Sequence, residues 1–232
     1  MFIDNAYSHK PSCSIWKSMT EFGYAQRMAR VFDCFFNTNI LDLTIKQFAD
    51  SNIKDNPSNF ITTLRQQYSK IDPINANVVA DIGSGPWCGI FFLKQWPVMY
   101  SVDPAHDVYK EKKLTRDIEG VTRIQGLAEQ FVLPQKSDII WCINALNHGG
   151  CLKQSLQNIM NNLNDGGLLL LHLHLRTEEQ CDSGHPMPVL ESELDAFFKD
   201  FEIMNKNVLP DPLKPNRPKP GRRTYLATIK KK

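Results

Sequence analysis

The sequence predicts an α/β protein: a doubly wound, mostly parallel sheet with helices on both faces. Three observations carry that expectation. From residue 77 onward, short apolar runs alternate with helical stretches, the pattern of parallel strands joined by crossover helices. The first of these runs ends in a glycine turn, Gly83-Ser84-Gly85-Pro86. Residues 1–75 read as helical, which makes them an N-terminal cap or lid ahead of a 76–232 domain.

In the cap, Met28, Val31, Phe32 and Phe35 fall at i, i+3, i+4, i+7, one apolar helical face. Asn56-Pro57-Ser58 reads as a helix start, and Asp72-Pro73 breaks the pattern. Val78 to Ile82 is a buried-type first strand. Gly89 to Trp96 can form a short helix stopped by Pro97, and Val98 to Val102 is the second strand. Val121 to Gln125 is a weaker third strand, and Asp138 to Ile143 a fourth. Leu152, Leu156, Ile159, Met160 and Leu163 repeat at helical spacing. Asn164-Asp165-Gly166-Gly167 has the residues of a left-handed helix cap before a fifth strand, Leu168 to Leu175. Leu190, Leu194, Phe197, Phe198 and Phe201 mark another helix. Glu202 to Val208 and Arg223 to Ile229 are two further strands, with five prolines between them that enforce an extended loop.

The chain has 232 residues, 42% apolar and 22% charged, a globular balance that excludes disorder, collagen and coiled-coil arrays. Its longest stretch without Asp, Glu, Lys or Arg is Ile139 to Leu152, 14 residues. A bilayer span needs roughly 20. The start of the sequence shows no signal-peptide pattern, and none of the six cysteines forms a CxxC pair. A cytoplasmic protein with reduced thiols and no membrane contact is the expectation. The net charge of +2 is uneven: residues 214–232 hold eight Lys or Arg and no acid, leaving 19 basic and 25 acidic side chains, a net of −6, in the first 213. Such a tail either attracts anionic partners or simply solvates the terminus.

Ligands of open α/β sheets bind beyond the carboxyl ends of the strands. The residues there are distinctive. Asp81-Ile82-Gly83-Ser84-Gly85 closes the first strand. A dinucleotide fingerprint, GxGxxG, would need glycine at position 88, which is Cys88, so a nicotinamide enzyme is disfavoured. Asp103, followed by Pro104, ends the second strand, where an acid can accept both hydroxyls of a ribose. Gly126-Leu127-Ala128-Glu129 follows the third strand, and Asn144-Ala145-Leu146-Asn147-His148 the fourth.

With these segments in order, residues 77–232 resemble the class I S-adenosylmethionine-dependent methyltransferases. Asp81 to Gly85 resembles the first motif, DxGxG, and Asp103 the ribose-holding acid. Gly126 to Glu129 with Leu133-Pro134 resembles the segment beside the adenine. Asp138 to His148 resembles the fourth motif, and Leu163 to Leu171 the "LxPGGxLLL" entry to strand five. His185-Pro186 with the following helix resembles a late segment of uncharacterised bacterial members. The resemblance implies a Rossmann-like sheet of seven strands with the last antiparallel. It implies S-adenosyl-L-methionine as cofactor, S-adenosyl-L-homocysteine as product, and Asp81, Gly83, Ser84, Gly85, Asp103, Pro104, Leu127, Ala128, Glu129 and Asn144 as the residues around it. Two positions depart from the pattern. Trp87 stands where the family often has glycine, with Gly89 as the next flexible point. Leu127 replaces the acid that caps the adenine amino group, leaving adenine to the backbone near Ala128 and to apolar packing.

The implied activity is methyl transfer to an O or N atom of a small molecule. His148 and His174 are the candidate bases, because imidazole titrates near neutrality. His172 and His174 share one face of strand five. Four histidines near the carboxyl edge, with His185 the fourth, raise a metal site, but it is the lesser reading and no metal is expected. Trp16, Lys17, Tyr24 and Arg27 are candidate lid residues, with Arg27 available to a methionine carboxylate. An RNA or nucleotide methyltransferase using the basic C-terminal segment, or a non-catalytic cofactor-binding protein, are the competing readings. The fourth motif lacks an NPPY-like segment at Cys142-Ile143-Asn144-Ala145, which disfavours exocyclic base amines, and the basic residues Lys214, Arg217, Lys219, Arg222 and Arg223 just before the last strand point to a small anionic or sugar-like acceptor instead of nucleic acid.

Overall fold

A computed structural model describes residues 20–39, 41–42, 57–70, 75–210 and 223–232. Among the described residues, the helices α1 (Glu21–Phe36) and α2 (Pro57–Ser69) lie ahead of the sheet in the chain. Thr20 caps α1: its hydroxyl accepts the Gly23 amide at 3.1 Å. Asn37, in a left-handed conformation, ends it. The expected apolar face is real, with Met28, Val31 and Phe32 buried and Phe35 partly so. Tyr68 of α2 donates its hydroxyl to Asp33 at 2.7 Å, which ties the two helices together.

The remaining elements are β1 (Val78–Ile82), β2 (Val98–Val102), α3 (His106–Glu111), β3 (Val121–Ile124), β4 (Ser137–Ile143), α4 (Leu152–Asn161), β5 (Leu163–His174), α5 (Glu191–Phe198), β6 (Glu202–Pro210) and β7 (Arg223–Lys230). The strands form one seven-stranded sheet in the order β3-β2-β1-β4-β5-β7-β6. β1 to β5 are parallel, and β7 runs antiparallel between β5 and β6, so the sheet is mixed. The strand order reverses between β1 and β4, the crevice where such sheets bind ligands.

Alternation along each strand splits the core in two. Ala80, Ile82, Ile140, Leu169 and Leu171 face α4 and α5. Val79, Ile139, Trp141 and Leu170 face α1, α2 and a 3-10 turn at Gly89–Phe92. The helix expected over Gly89 to Trp96 is only that turn. No helix among the described residues is long and apolar enough to cross a membrane.

One expected boundary is corrected. Asn164 to Gly167 lie within β5 instead of capping the helix before it. The helix ends at Asn162, which keeps a right-handed conformation, and its last amide still bonds back to Asn158 and Ile159. Leu163 already pairs with Ser137, and the register slips between Ser137 and Ile139. Gly166 supplies a left-handed φ of 76°, and Gly166 and Gly167 exchange backbone bonds of 2.9 Å with Lys231. Turn chemistry here serves a bulged strand entry.

Candidate functional site

The turn after β1 is built from below. Asp81 is buried, and its carboxylate accepts the Ile90 amide at 3.0 Å. A Cβ on Gly89 would lie 1.6 Å from that carboxylate oxygen, so the loop can settle on Asp81 only where residue 89 has no side chain. Burial, with Asp103 adding to it, pushes the Asp81 pKa up to about 7. Gly83 has φ +73°, and a Cβ there would meet that of Ala145 at 2.1 Å. The turn therefore sits directly against the segment after β4. Cys88, at the position of the missing third glycine, nevertheless adopts a left-handed φ of 59°.

Asp103 stands at the carboxyl end of β2. One carboxylate oxygen accepts the Gly85 amide at 2.9 Å, the other the Ala105 amide at 2.8 Å. Burial pushes its pKa up, while those amides and the nearby His106 and Arg123 act against the rise. Ser84 Oγ lies 2.6 Å from Ser101 Oγ, a second link between the glycine turn and β2. The Ser84–Ser101 and Gly85–Asp103 bonds thus tie the glycine turn to β2, while Asp81 holds the following loop at Ile90.

The segment after β3 folds as a tight turn, with the Leu127 carbonyl accepting the Gln130 and Phe131 amides. Asn158 of α4 donates to the carbonyls of Ala128 and Phe131 at 3.0 Å each. Glu129 turns to the next loop, where it accepts the Gly150 amide at 2.7 Å and the Cys151 amide at 3.1 Å, serving donors at the start of α4. Asn158 carries no motif that sequence reading could have used; only its place on the polar side of α4 hints at it.

The expected histidines separate into two pairs. His172 and His174 lie on the α1 side of the sheet, both buried, with ring centroids 5.6 Å apart. His172 Nδ1 is 3.1 Å from Asn144 Oδ1, and His174 Nδ1 is 3.1 Å from Thr224 Oγ1. Asn144 itself has a left-handed φ of 52° at the end of β4. His148 follows in a short 3-10 turn, Leu146–His148, and reaches solvent. It lies against His185, ring centroids 4.5 Å apart. Partial burial, then the neighbouring His185, hold the His148 pKa below the ordinary imidazole value. Asp182 and Arg176 complete this second group, with Arg176 Nη1 3.5 Å from Asp182. Sequence reading passed over Arg176 and Asp182, although both flank His185 within the loop after β5. Among the described residues no group of three or more His, Cys, Asp or Glu is arranged to hold a metal ion.

Trp87 does not open the loop but anchors it. The indole is buried, packs edge-on to Tyr24 of α1 with centroids 4.8 Å apart, and carries the Arg116 guanidinium 5.4 Å from its ring centre. Arg116 pairs with Glu21 at 2.7 Å. Tyr24 also reaches the Gly89 backbone, so α1 touches the glycine loop itself. Trp16 and Lys17 lie outside the described residues, as do Lys214, Arg217, Lys219 and Arg222. Arg223 is paired with Glu191 at 3.0 Å.

No family model matches the chain. No curated protein matches it either. Solved structures do. A putative methyltransferase bound to the Trm112 methyltransferase activator from Haloferax volcanii is 15% identical, with a TM-score of 0.53 over 79% of this chain and 96% of that one. A putative methyltransferase from Bacillus halodurans is 16% identical, TM-score 0.52, over 74% and 98%. The N-methyltransferase NodS from Bradyrhizobium japonicum, in complex with S-adenosyl-L-homocysteine, is 12% identical, TM-score 0.50, over 80% and 90%. At these identities the likeness speaks for architecture. With the strand order, the antiparallel β7 and the acid-tipped glycine turn, it gives the chain the fold of the class I S-adenosylmethionine-dependent methyltransferases.

Proposed function

We propose that the chain transfers a methyl group from S-adenosyl-L-methionine to an O or N atom of a small-molecule acceptor. The observation that carries this reading is the Asp103 carboxylate. It sits at the β2 edge beside the switch point, and two backbone amides hold it in place. A carboxylate has about four lone-pair sites. Two are taken, so those that remain fit a vicinal pair of hydroxyl donors, the chemistry of a ribose. Gly83 and Gly85, both at positive φ, keep side chains away from that edge. The Leu127–Phe131 turn, held by Asn158, offers backbone groups and an apolar side chain to the adenine.

In this reading Asp103 accepts the ribose hydroxyls, Ser84 and Gly85 line the cofactor, and Asn144 and His148 face the transfer end. The cofactor, when bound, supplies an electrophilic methyl carbon. The chain's work is then to align an acceptor with it, exclude water and remove a proton where the acceptor carries one. A small anionic or sugar-like acceptor in a cytoplasmic setting suits this edge better than nucleic acid. Calorimetry with S-adenosyl-L-methionine and S-adenosyl-L-homocysteine tests the reading. Micromolar binding of both is expected, and no heat with either would end it.

A further inference from the structure

We propose that the Asp182–His185 turn arms His148 as the general base of the acceptor site, and that the acceptor group is a hydroxyl. The proposal rests on the methyl-transfer reading above and deepens it.

The two ring nitrogens of His148 have different surroundings. Nδ1 faces the carbonyl oxygen of Gly184. A carbonyl oxygen only accepts, so Nδ1 carries the proton of that bond. In a neutral imidazole the other nitrogen then holds the lone pair. His148 Nε2 has no protein partner among the described residues, and the ring reaches solvent. The side chain therefore presents an open acceptor nitrogen at the carboxyl edge, one short turn past β4.

The Gly184 carbonyl is not placed by chance. Asp182 Oδ1 accepts the Gly184 amide and His185 Nδ1, both at 2.9 Å. Asp182 and His185 also exchange backbone bonds, at 3.2 and 3.0 Å. Arg176 braces the other carboxylate oxygen of Asp182. Arg176 is fixed in turn by paired backbone bonds with Val189, 3.0 and 2.9 Å. One carboxylate thus closes a four-residue turn whose third carbonyl sets the tautomer of a histidine 36 residues away. This is how a second group orients a base.

Burial first, and then its neighbour His185, keep that base neutral. His185 and Arg176 disfavour a proton on His148, and Asp182 and the Gly184 carbonyl favour one; burial tips the balance toward the neutral ring. Glu129, across the adjoining loop, is engaged with the Gly150 and Cys151 amides. An amine acceptor loses its ammonium proton to water and attacks through its own lone pair, so it has little use for such a base. A hydroxyl is a poor nucleophile until its proton leaves, and a neutral imidazole with an open Nε2 takes that proton as the oxygen attacks. The balance is complete. His148 Nε2 takes the hydroxyl proton, and the acceptor oxygen bonds the methyl carbon. The carbon–sulfur pair stays on sulfur, and the imidazolium returns its proton to water. The products are a methyl ether, S-adenosyl-L-homocysteine and one proton.

The test uses the full-length protein labelled with nitrogen-15 histidine. Nitrogen-detected spectra should show His148 as the Nδ1–H tautomer, titrating below the ordinary histidine value. Asp182→Ala should erase that tautomer preference. Methyl transfer from radiolabelled S-adenosyl-L-methionine to matched alcohols, phenols and primary amines is then measured. His148→Gln should cut kcat on hydroxyl acceptors by about 10²–10⁴-fold while calorimetric cofactor affinity holds. Asp182→Ala should lower kcat and move the acidic limb of its pH profile, again with cofactor affinity intact. A His148 imidazolium or Nε2–H tautomer at neutral pH overturns the proposal, whatever the panel shows. So does methylation confined to amines, or a His148→Gln enzyme as fast as wild type. Failure of the underlying reading looks different: no cofactor binding, with the His148 tautomer as described.

Discussion

Asp103 does two jobs that single substitutions can pull apart. It accepts two backbone amides that hold the glycine turn, and in the proposed function it accepts two ribose hydroxyls. Bonds to a charged acceptor contribute roughly 1.5–3 kcal/mol each. Asp103→Ala should therefore weaken cofactor binding at least tenfold in calorimetry and also lower Tm, because Gly85 and Ala105 lose their partner. Asp103→Asn keeps an oxygen for one amide and should show a similar affinity loss with a smaller Tm change. Unchanged affinity in a folded Asp103→Ala protein would remove the ribose assignment. Asp81 gives a second residue-scale outcome. Its folded pKa, about 7, lies above the unfolded carboxyl value of about 4. Between those values the native state keeps a proton that the unfolded chain has released, so this group's stabilisation is full below about pH 4 and is lost as pH rises to about 7. Asp81→Asn keeps an oxygen for the Ile90 amide and has nothing to ionise. Urea midpoints measured at about pH 5 and about pH 8 should fall with pH for the wild type and fall less for the variant; equal slopes would show that Asp81 titrates normally.

At the scale of elements, a prediction attaches to the opposite edge of the sheet. Asp138, the first residue of the fourth-motif resemblance and near the start of β4, accepts the Asn77 and Val78 amides at 2.9 Å each and the Asn164 side-chain amide at 2.8 Å. It clamps the starts of β1, β4 and β5. Burial works against its charge, but these donors outweigh it and hold its pKa below the usual value. The stabilisation is present above the unfolded carboxyl pKa and lost as pH falls through the folded one. Asp138→Ala should lower Tm by several degrees at neutral pH, about 1–3 kcal/mol, and by progressively less in acid; an equal loss at every pH would contradict the clamp. Much of this level was readable beforehand, because strands such as Val78–Ile82 and helix faces such as Leu152–Met160 announce themselves by period. What escaped was decided by tertiary pairing. Asn164-Asp165-Gly166-Gly167 carries the residues of a cap, yet the pairing of Leu163 with Ser137 just before it and its own bonds to Lys231 draw it into β5. Cys88 holds a left-handed backbone that only its surroundings impose. The candidate site divides likewise: Asp103 and the glycines were visible in the motif, whereas the Asp182 turn acts through a backbone carbonyl, which no residue type reveals.

Across the whole molecule, the N-terminal helices and the sheet behave as one packing unit. Tyr24, Val31, Phe32, Leu64 and Tyr68 share a buried cluster with Val79, Trp141 and Leu170. Phe32 stacks on Trp141 with centroids 5.9 Å apart and meets Tyr68 edge-on at 4.6 Å. The same helix reaches the glycine loop through Tyr24 and Trp87. A cap that could detach would leave Trp141 and Val79 facing water on one whole side of the central strands, an exposed apolar face that stable sheets avoid. Helix and sheet should then melt together. Circular dichroism, which reads the backbone, and tryptophan fluorescence, which reads all four tryptophans and with them the buried Trp87, Trp96 and Trp141, should give one coincident transition. Phe32→Ala removes a fully buried ring from the seam and should cost about 3–5 kcal/mol, moving both signals downward together. Two separated transitions in the variant, with the sheet signal unmoved, would show instead that residues 1–75 fold as a lid of their own.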